Sequence, residues 1–190
     1  NWTNYTAGSN VTITAADGKL LVRTPISNDA TFEGDEFFKL TVTPTSGSAV
    51  VGQATIRDDG TGDIYKPDGT KDTTATKDDD RSILVTSGGT FNEASTYATF
   101  KVDVTGKAGD AVVLAIESTG TGAGHATVTG FTNVQYSTDG TNWITYTGAA
   151  GGQPVVPAGG TGTVLVRVNI TSEQDTPYEG AETFALKASY

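Results

Sequence analysis

Two stretches decide the fold: Tyr97-Ala-Thr-Phe-Lys-Val-Asp-Val104 and Thr163-Val-Leu-Val-Arg-Val-Asn-Ile170. Apolar and polar residues alternate in both, and a period of two places every second side chain on one face of an extended strand. Val11-Thr-Ile-Thr14 carries the same alternation on a shorter scale. The turn pairs Asp17-Gly18, Asp59-Gly60, Asp68-Gly69, Gly88-Gly89, Asp139-Gly140 and Gly159-Gly160 punctuate the chain and leave no room for a sustained helical stripe. About a dozen short strands broken by such turns predict an all-β chain, an antiparallel β-sandwich with no long helix.

Composition narrows the chemistry. Among 190 residues, 22 Asp and Glu face 12 Lys and Arg and one His, for a formal net charge of −10. No basic stripe exists to meet phosphates, so no nucleic-acid partner is expected. Cysteine is absent, which excludes disulfides, thiolate nucleophiles and zinc–thiolate sites. Any staple must then be a metal held by oxygen. The longest apolar runs, such as Ala111 to Ile116, fall far short of the roughly 20 residues that cross a bilayer, so no membrane span is expected. An acidic, cysteine-free chain rich in Thr and Gly fits the outside of a bacterial cell.

A window near the start returns near the end. Asn1-Trp2-Thr3-Asn4-Tyr5-Thr6 matches Asn142-Trp143-Ile144-Thr145-Tyr146-Thr147, an offset of 141. Leu21-Val22-Arg23 matches Leu165-Val166-Arg167 at 144, and Glu33-Gly34-Asp35-Glu36-Phe37-Phe38 matches Glu179-Gly180-Ala181-Glu182-Thr183-Phe184 at 146. The chain therefore divides into residues 1–60, the C-terminal half of one sandwich repeat; 61–81, an acidic linker; and 82–190, a second repeat. Tyr190 aligns with Pro44, so the second repeat has no counterpart of Ala49 to Arg57. Strand complementation by neighbouring repeats or by copies of the chain itself is the expected partnership.

Carboxylates recur at fixed spacing. Asp29, Glu33 and Glu36 form D-x-x-x-E-x-x-E, and Asp175, Glu179 and Glu182 repeat it. In each case the acids crowd a turn that leads into a strand carrying Phe38 or Phe184. Converging carboxylates repel at neutral pH unless a cation neutralises them, and Ca²⁺, which takes six to eight oxygens at flexible geometry, suits them best. Asp58-Asp59, Asp78-Asp79-Asp80 and Glu93 offer further oxygens. The alternative is that these acids are solvated loop residues that keep the protein soluble.

Asp29-x-x-x-Glu33-Gly34-x-Glu36-x-Phe38, followed by Ala54-Thr55-Ile56-Arg57-Asp58-Asp59, resembles the end of a Calx-beta-type repeat, and Asn92-Glu93-Ala94 resembles its front. The pattern, including Tyr136-Ser-Thr-Asp-Gly-Thr-Asn-Trp143, is similar to the tandem repeats of very large RTX-type bacterial surface adhesins. The resemblance implies an immunoglobulin-like Greek-key sandwich that binds calcium at one tip. It implies Asp29, Glu33, Glu36, Asp58 and Asp59 as ligands in the first copy, and Glu93, Asp175, Glu179 and Glu182 in the second. The repeat spacing exceeds the roughly 100 residues of such a sandwich, which predicts insertions around Gly120 to Gly130 and Gly148 to Gly160.

Other residues point elsewhere only weakly. His125, the single histidine, sits between Gly124 and Ala126 with no nucleophile motif around it, and reads as a loop residue rather than part of a Ser-His-Asp machine. Paired acids serve glycosidases across a sugar cleft, but acids that recur once per repeat suit ion binding better. Trp2 and Trp143 keep the same neighbours, which favours a structural role over sugar stacking. Asn1, Asn4, Asn10 and Asn169 begin N-x-T sequons. The expected function is a calcium-stiffened structural repeat of an extracellular adhesin or filament, with no enzymatic activity. A glycan or surface-ligand binding module is the alternative.

Overall fold

The computed structural model describes residues 2–14, 16, 18–175 and 178–190. Asn1, which opens the first sequon and the first repeat window, and Asp17 of the Asp17-Gly18 turn signal lie outside them. The described residues form eleven strands: β1 (Glu36–Val42), β2 (Val50–Ile56), β3 (Ile64–Tyr65), β4 (Lys71–Asp72), β5 (Ser82–Ser87), β6 (Tyr97–Thr105), β7 (Val113–Ser118), β8 (Thr132–Ser137), β9 (Ile144–Thr145), β10 (Thr161–Asn169) and β11 (Phe184–Ser189). The only helical elements among them are single 3₁₀ turns at Val128–Gly130 and Thr171–Glu173. The chain is all-β, and every strand ladder is antiparallel.

One sheet has the order β5-β6-β10-β8-β9, and β7 pairs with β11 in a second. The alternation seen in the sequence makes the interface between them. Register sets Val102 of β6 against Val164 of β10, Phe100 against Val166 and Ala98 against Val168, all six side chains buried. Leu114 of β7 and Leu186 of β11 meet them from the other layer. Each of these Val, Leu and Phe side chains contributes roughly 1.5–3 kcal/mol of transfer free energy. Phe184 packs edge-on against Phe100 and Phe131, with centroids 5.7 and 4.7 Å away. The result is sandwich-like, with the core between the layers.

The expected insertions do not stand off this body. Val112 N–H donates to the Pro154 carbonyl and Val156 N–H to that of Asp110, which seats Val156 in the core. The Tyr146 hydroxyl accepts from Leu114 N–H at 3.0 Å, tying the segment after β9 to β7. Ala126, within the other glycine-rich stretch, is buried as well.

Residues 2–35 fold differently from their counterparts. Val11 to Thr14 form no strand, and neither do Leu21 to Arg23, although their counterparts Leu165 to Arg167 lie in the middle of β10. Alternation gives a strand its two faces, but a strand also needs a neighbour to accept its backbone hydrogen bonds. β10 has β6 and β8 at its sides, whereas no ladder among the described residues includes 2–35. Among the described residues β1 and β2 pair only with each other. Val22 is 51% exposed where Val166 is fully buried, and Leu40 is 42% exposed where Leu186 is 6%. Between residues 22–24 and β1 lies an open groove of about 440 Å³, lined in part by Val22, Phe38 and Leu40.

The linker is more ordered than its composition predicts. β3 and β4 form a small hairpin around Pro67-Asp68-Gly69, where Gly69 takes φ +88° and Asp68 accepts from both the backbone and the hydroxyl of Thr70.

Candidate metal site between β2 and β5

Asp58 closely follows β2, and Asp78 and Asp80 lie just ahead of β5. Their carboxylates come together: one oxygen from each lies within 4.8 Å of the other two. Such a group can hold a metal ion.

Local backbone geometry explains the convergence. Asp59 and Asp79 form an isolated antiparallel bridge, which places Asp58 opposite Asp80 and Gly60 opposite Asp78. The Gly60 N–H donates to the Asp78 carbonyl at 2.9 Å and closes the bridge. Side chains alternate across an extended pair, so Asp58, Asp78 and Asp80 share one face while Asp59 and Asp79 turn to the other. Gly60 lets the backbone take this path beside Asp79. It takes φ +71°, and a Cβ there would lie 3.1 Å from Asp79 Oδ2.

The two acids on the far face have their own partners. Asp59, nearly buried, accepts from the Thr61 N–H and hydroxyl and faces Arg57 at 3.8 Å. These bonds, the Thr61 hydroxyl foremost, hold its carboxyl below the usual range. Asp79 takes two 2.8 Å bonds from the Arg81 guanidinium, which lower its pKa. Arg81 also reaches Asp110 at 3.3 Å and lies over the Tyr190 ring at 5.0 Å. The Tyr190 hydroxyl donates within reach of the Thr105 and Ser82 carbonyls. The junction is thereby anchored to the end of the sandwich-like body.

On the clustered face the balance reverses. Asp80 is pushed up, first by loss of hydration and then by the charges of Asp78, Asp58 and Asp29. The like charges of Asp78 and Asp58 are the part of this effect that a bound cation would relieve.

The other acids singled out in the sequence fall as follows. Asp29 accepts from Thr31 N–H and lies near enough to Asp80 to perturb it. Glu33 contributes its backbone, its N–H donating to Asp58 Oδ2 at 2.8 Å. Glu36 opens β1, outside the three-acid group. In the second repeat Asp175, Glu182 and Glu93 lie near enough to Glu179 to act on its charge, but among the described residues they form no group as close as Asp58, Asp78 and Asp80. Glu179 is raised by Asp175, then by Glu182 and Glu93. Glu182 is raised chiefly by a hydrogen bond with Glu173, while His125 pulls it the other way. Asp78 and Asp80 carried a readable signal: i and i+2 in an extended lead-in share a face.

His125 Nδ1 lies 2.8 Å from the Thr119 hydroxyl, which in turn lies 2.6 Å from that of Thr183, so the ring joins the loop to the start of β11. Both tryptophans carry an arginine. Arg23 lies 4.1 Å from the Trp2 ring centroid, and Arg167 lies 4.2 Å from that of Trp143 and 4.4 Å from that of Tyr97. The repeated pairing accounts for both Trp and Arg recurring in the sequence. Among the described residues no helix is long and apolar enough to cross a membrane.

No protein-family model matches this chain, and neither does any curated protein or solved structure.

Proposed function

We propose that the chain is a calcium-stiffened structural module, a segment of a tandem array on an extracellular bacterial adhesin or filament, and not an enzyme. The observation that carries this reading is the Asp58, Asp78 and Asp80 group, because it joins an acid at the end of β2 to two acids at the far end of the linker, next to β5. A cation held there would lock the end of one repeat to the start of the next. Donors that are all oxygen, at a partly exposed surface, favour calcium over zinc or copper. Three like carboxylates on one face suit a cation better than they suit a general acid and base, which need different environments.

The strand order supports the repeat half of the reading. With β5-β6-β10-β8 in one layer, extended by the two-residue β9, and β7-β11 in the other, the strand order supports reading the second repeat as an immunoglobulin-like Greek key. In that layout β1 and β2 correspond to the last two strands of the preceding repeat. The surroundings of Glu179, with Asp175, Glu182 and Glu93, are a second place where calcium would relieve like-charge repulsion.

Thermal melting with calcium, with magnesium and with chelator tests the reading. Metal bound only by the folded state stabilises by about 2.7 kcal/mol at a hundredfold excess over the dissociation constant. Calcium should raise the midpoint, magnesium should do so less, and equal midpoints in calcium and chelator would refute it.

A further inference from the structure

The four arginines of the chain divide into two kinds. Arg57 is ion-paired to Asp35 and Asp59, and Arg81 to Asp79 and Asp110. Arg23 and Arg167 form no ion pair among the described residues and stack on tryptophan instead. Arg23 spends Nη1 on the Pro67 carbonyl. Arg167 spends neither Nη.

Arg167 stands on the outer face of the five-stranded sheet, because its neighbours Val166 and Val168 point into the core. Thr99 of β6 and Gln135 of β8 lie across from it. Its guanidinium carbon is 4.4 Å from the Tyr97 ring centroid and 4.2 Å from that of Trp143, and its Nε donates to Gln135 Oε1 at 2.7 Å. Tyr97, Gln135, Trp143 and Arg167 are all half-buried. Two rings and an amide thus fix the guanidinium while using only one of its N–H donors. The N–H groups on Nη1 and Nη2 have no hydrogen-bond partner among the described residues. Held in one plane, they form the fork that matches both oxygens of a carboxylate.

We propose that Arg167 is the anion-binding centre of a saccharide site, which takes a sugar bearing a single carboxylate, a hexuronate at the end of a glycan. β10 is paired on both sides, with β6 and β8, so no strand edge is open there to a peptide backbone. Recognition must come from side chains. The carboxylate takes the Nη fork, the exposed parts of the Tyr97 and Trp143 rings offer apolar surface to sugar C–H groups, and the Thr99 hydroxyl and Gln135 amide N–H groups serve the sugar hydroxyls. A polymer with an acid on every unit would be repelled by a chain of net charge −10, which favours one terminal uronate. The site lies within the sheet and the turn between β8 and β9, so it is independent of the junction acids.

Methyl β-glucuronide, methyl β-glucoside and acetate, each titrated in chelator into the whole chain carrying Trp2→Phe, test the assignment through Trp143 fluorescence. The glucuronide should give a saturable change at roughly tenfold lower concentration than either of the others. No saturable change with it overturns the proposal. Glucoside binding as tightly overturns the carboxylate fork, and acetate binding as tightly overturns the sugar. A peptide of residues 62–74, which carries the carbonyl that meets Arg23, is the rival occupant: its binding without that of glucuronide overturns the proposal too. Arg167→Lys keeps the charge, loses the fork and should weaken glucuronide about tenfold. Gln135→Glu hands the fork a carboxylate of the chain's own and should abolish binding with the urea midpoint kept. Unchanged glucuronide affinity in either folded variant overturns the assignment of Arg167.

Discussion

Asp59 and Asp79 face one another in an isolated antiparallel bridge, and that pairing determines which way every acid at the junction points. It turns Asp59 toward Thr61 and Arg57, turns Asp79 toward Arg81, and leaves Asp58, Asp78 and Asp80 together on the opposite face. Repulsion within that face is thus built into the backbone, and the bridge joins the segment after β2 to the lead-in of β5.

Gly60 is the residue that permits this arrangement. Gly60→Ala forces a side chain into φ +71° and against Asp79, at a cost of roughly 1–2 kcal/mol for the left-handed conformation. Calcium titration of this variant should show weaker affinity, while urea unfolding followed at the sandwich core should be unchanged. Wild-type calcium affinity in Gly60→Ala would show that the bridge does not organise the acids.

The two leucines at equivalent repeat positions should respond unequally. Leu186→Ala leaves a cavity in the core and should cost roughly 2–5 kcal/mol. Leu40→Ala, at a position exposed to solvent, should change stability by about 0.5 kcal/mol or less. Urea denaturation of both variants measures the difference, and equal losses would mean that the first unit is packed as tightly as the second.

Asp139 predicts a pH effect of definite sign. Its carboxylate accepts from the Asn142 and Thr141 N–H groups, the Asn142 side chain and the Ser137 hydroxyl. The Asn142 backbone bond leads in holding its pKa well below the usual carboxylate range. A depressed folded-state pKa gives stability that is fully present above the ordinary value of 3.8 and is lost as pH falls through the folded-state value. NMR titration should show the Asp139 carboxyl still ionised at pH values where Asp residues with ordinary pKa values have protonated. Asp139→Asn should flatten the acid limb of the stability profile. An ordinary titration midpoint at Asp139 would contradict the turn geometry.

Much of the fold was legible because the strands of the second unit announce both of their faces. Val102, Val104, Val164, Val166 and Val168 fall at every second position, between residues that are polar save for Leu165, and are buried in the structure. Val11 to Thr14 and Leu21 to Arg23 carry a similar pattern without becoming strands, since a ladder partner is a non-local condition that a local pattern cannot report. The junction acids divide along the same line. Asp58 was legible from its place after a strand. Its meeting with Asp78 and Asp80 depends on a pairing between residues twenty apart, with a hairpin folded between them.

Equilibrium dialysis against calcium, comparing the wild-type chain with Asp58→Asn and Asp80→Asn, tests most directly whether the junction is a metal clamp. The account predicts saturable binding to the wild-type chain, and loss of one bound ion, or at least a tenfold weakening of it, in each variant, equivalent to about 1.4 kcal/mol. Binding by both variants that matches the wild type in stoichiometry and affinity would contradict it.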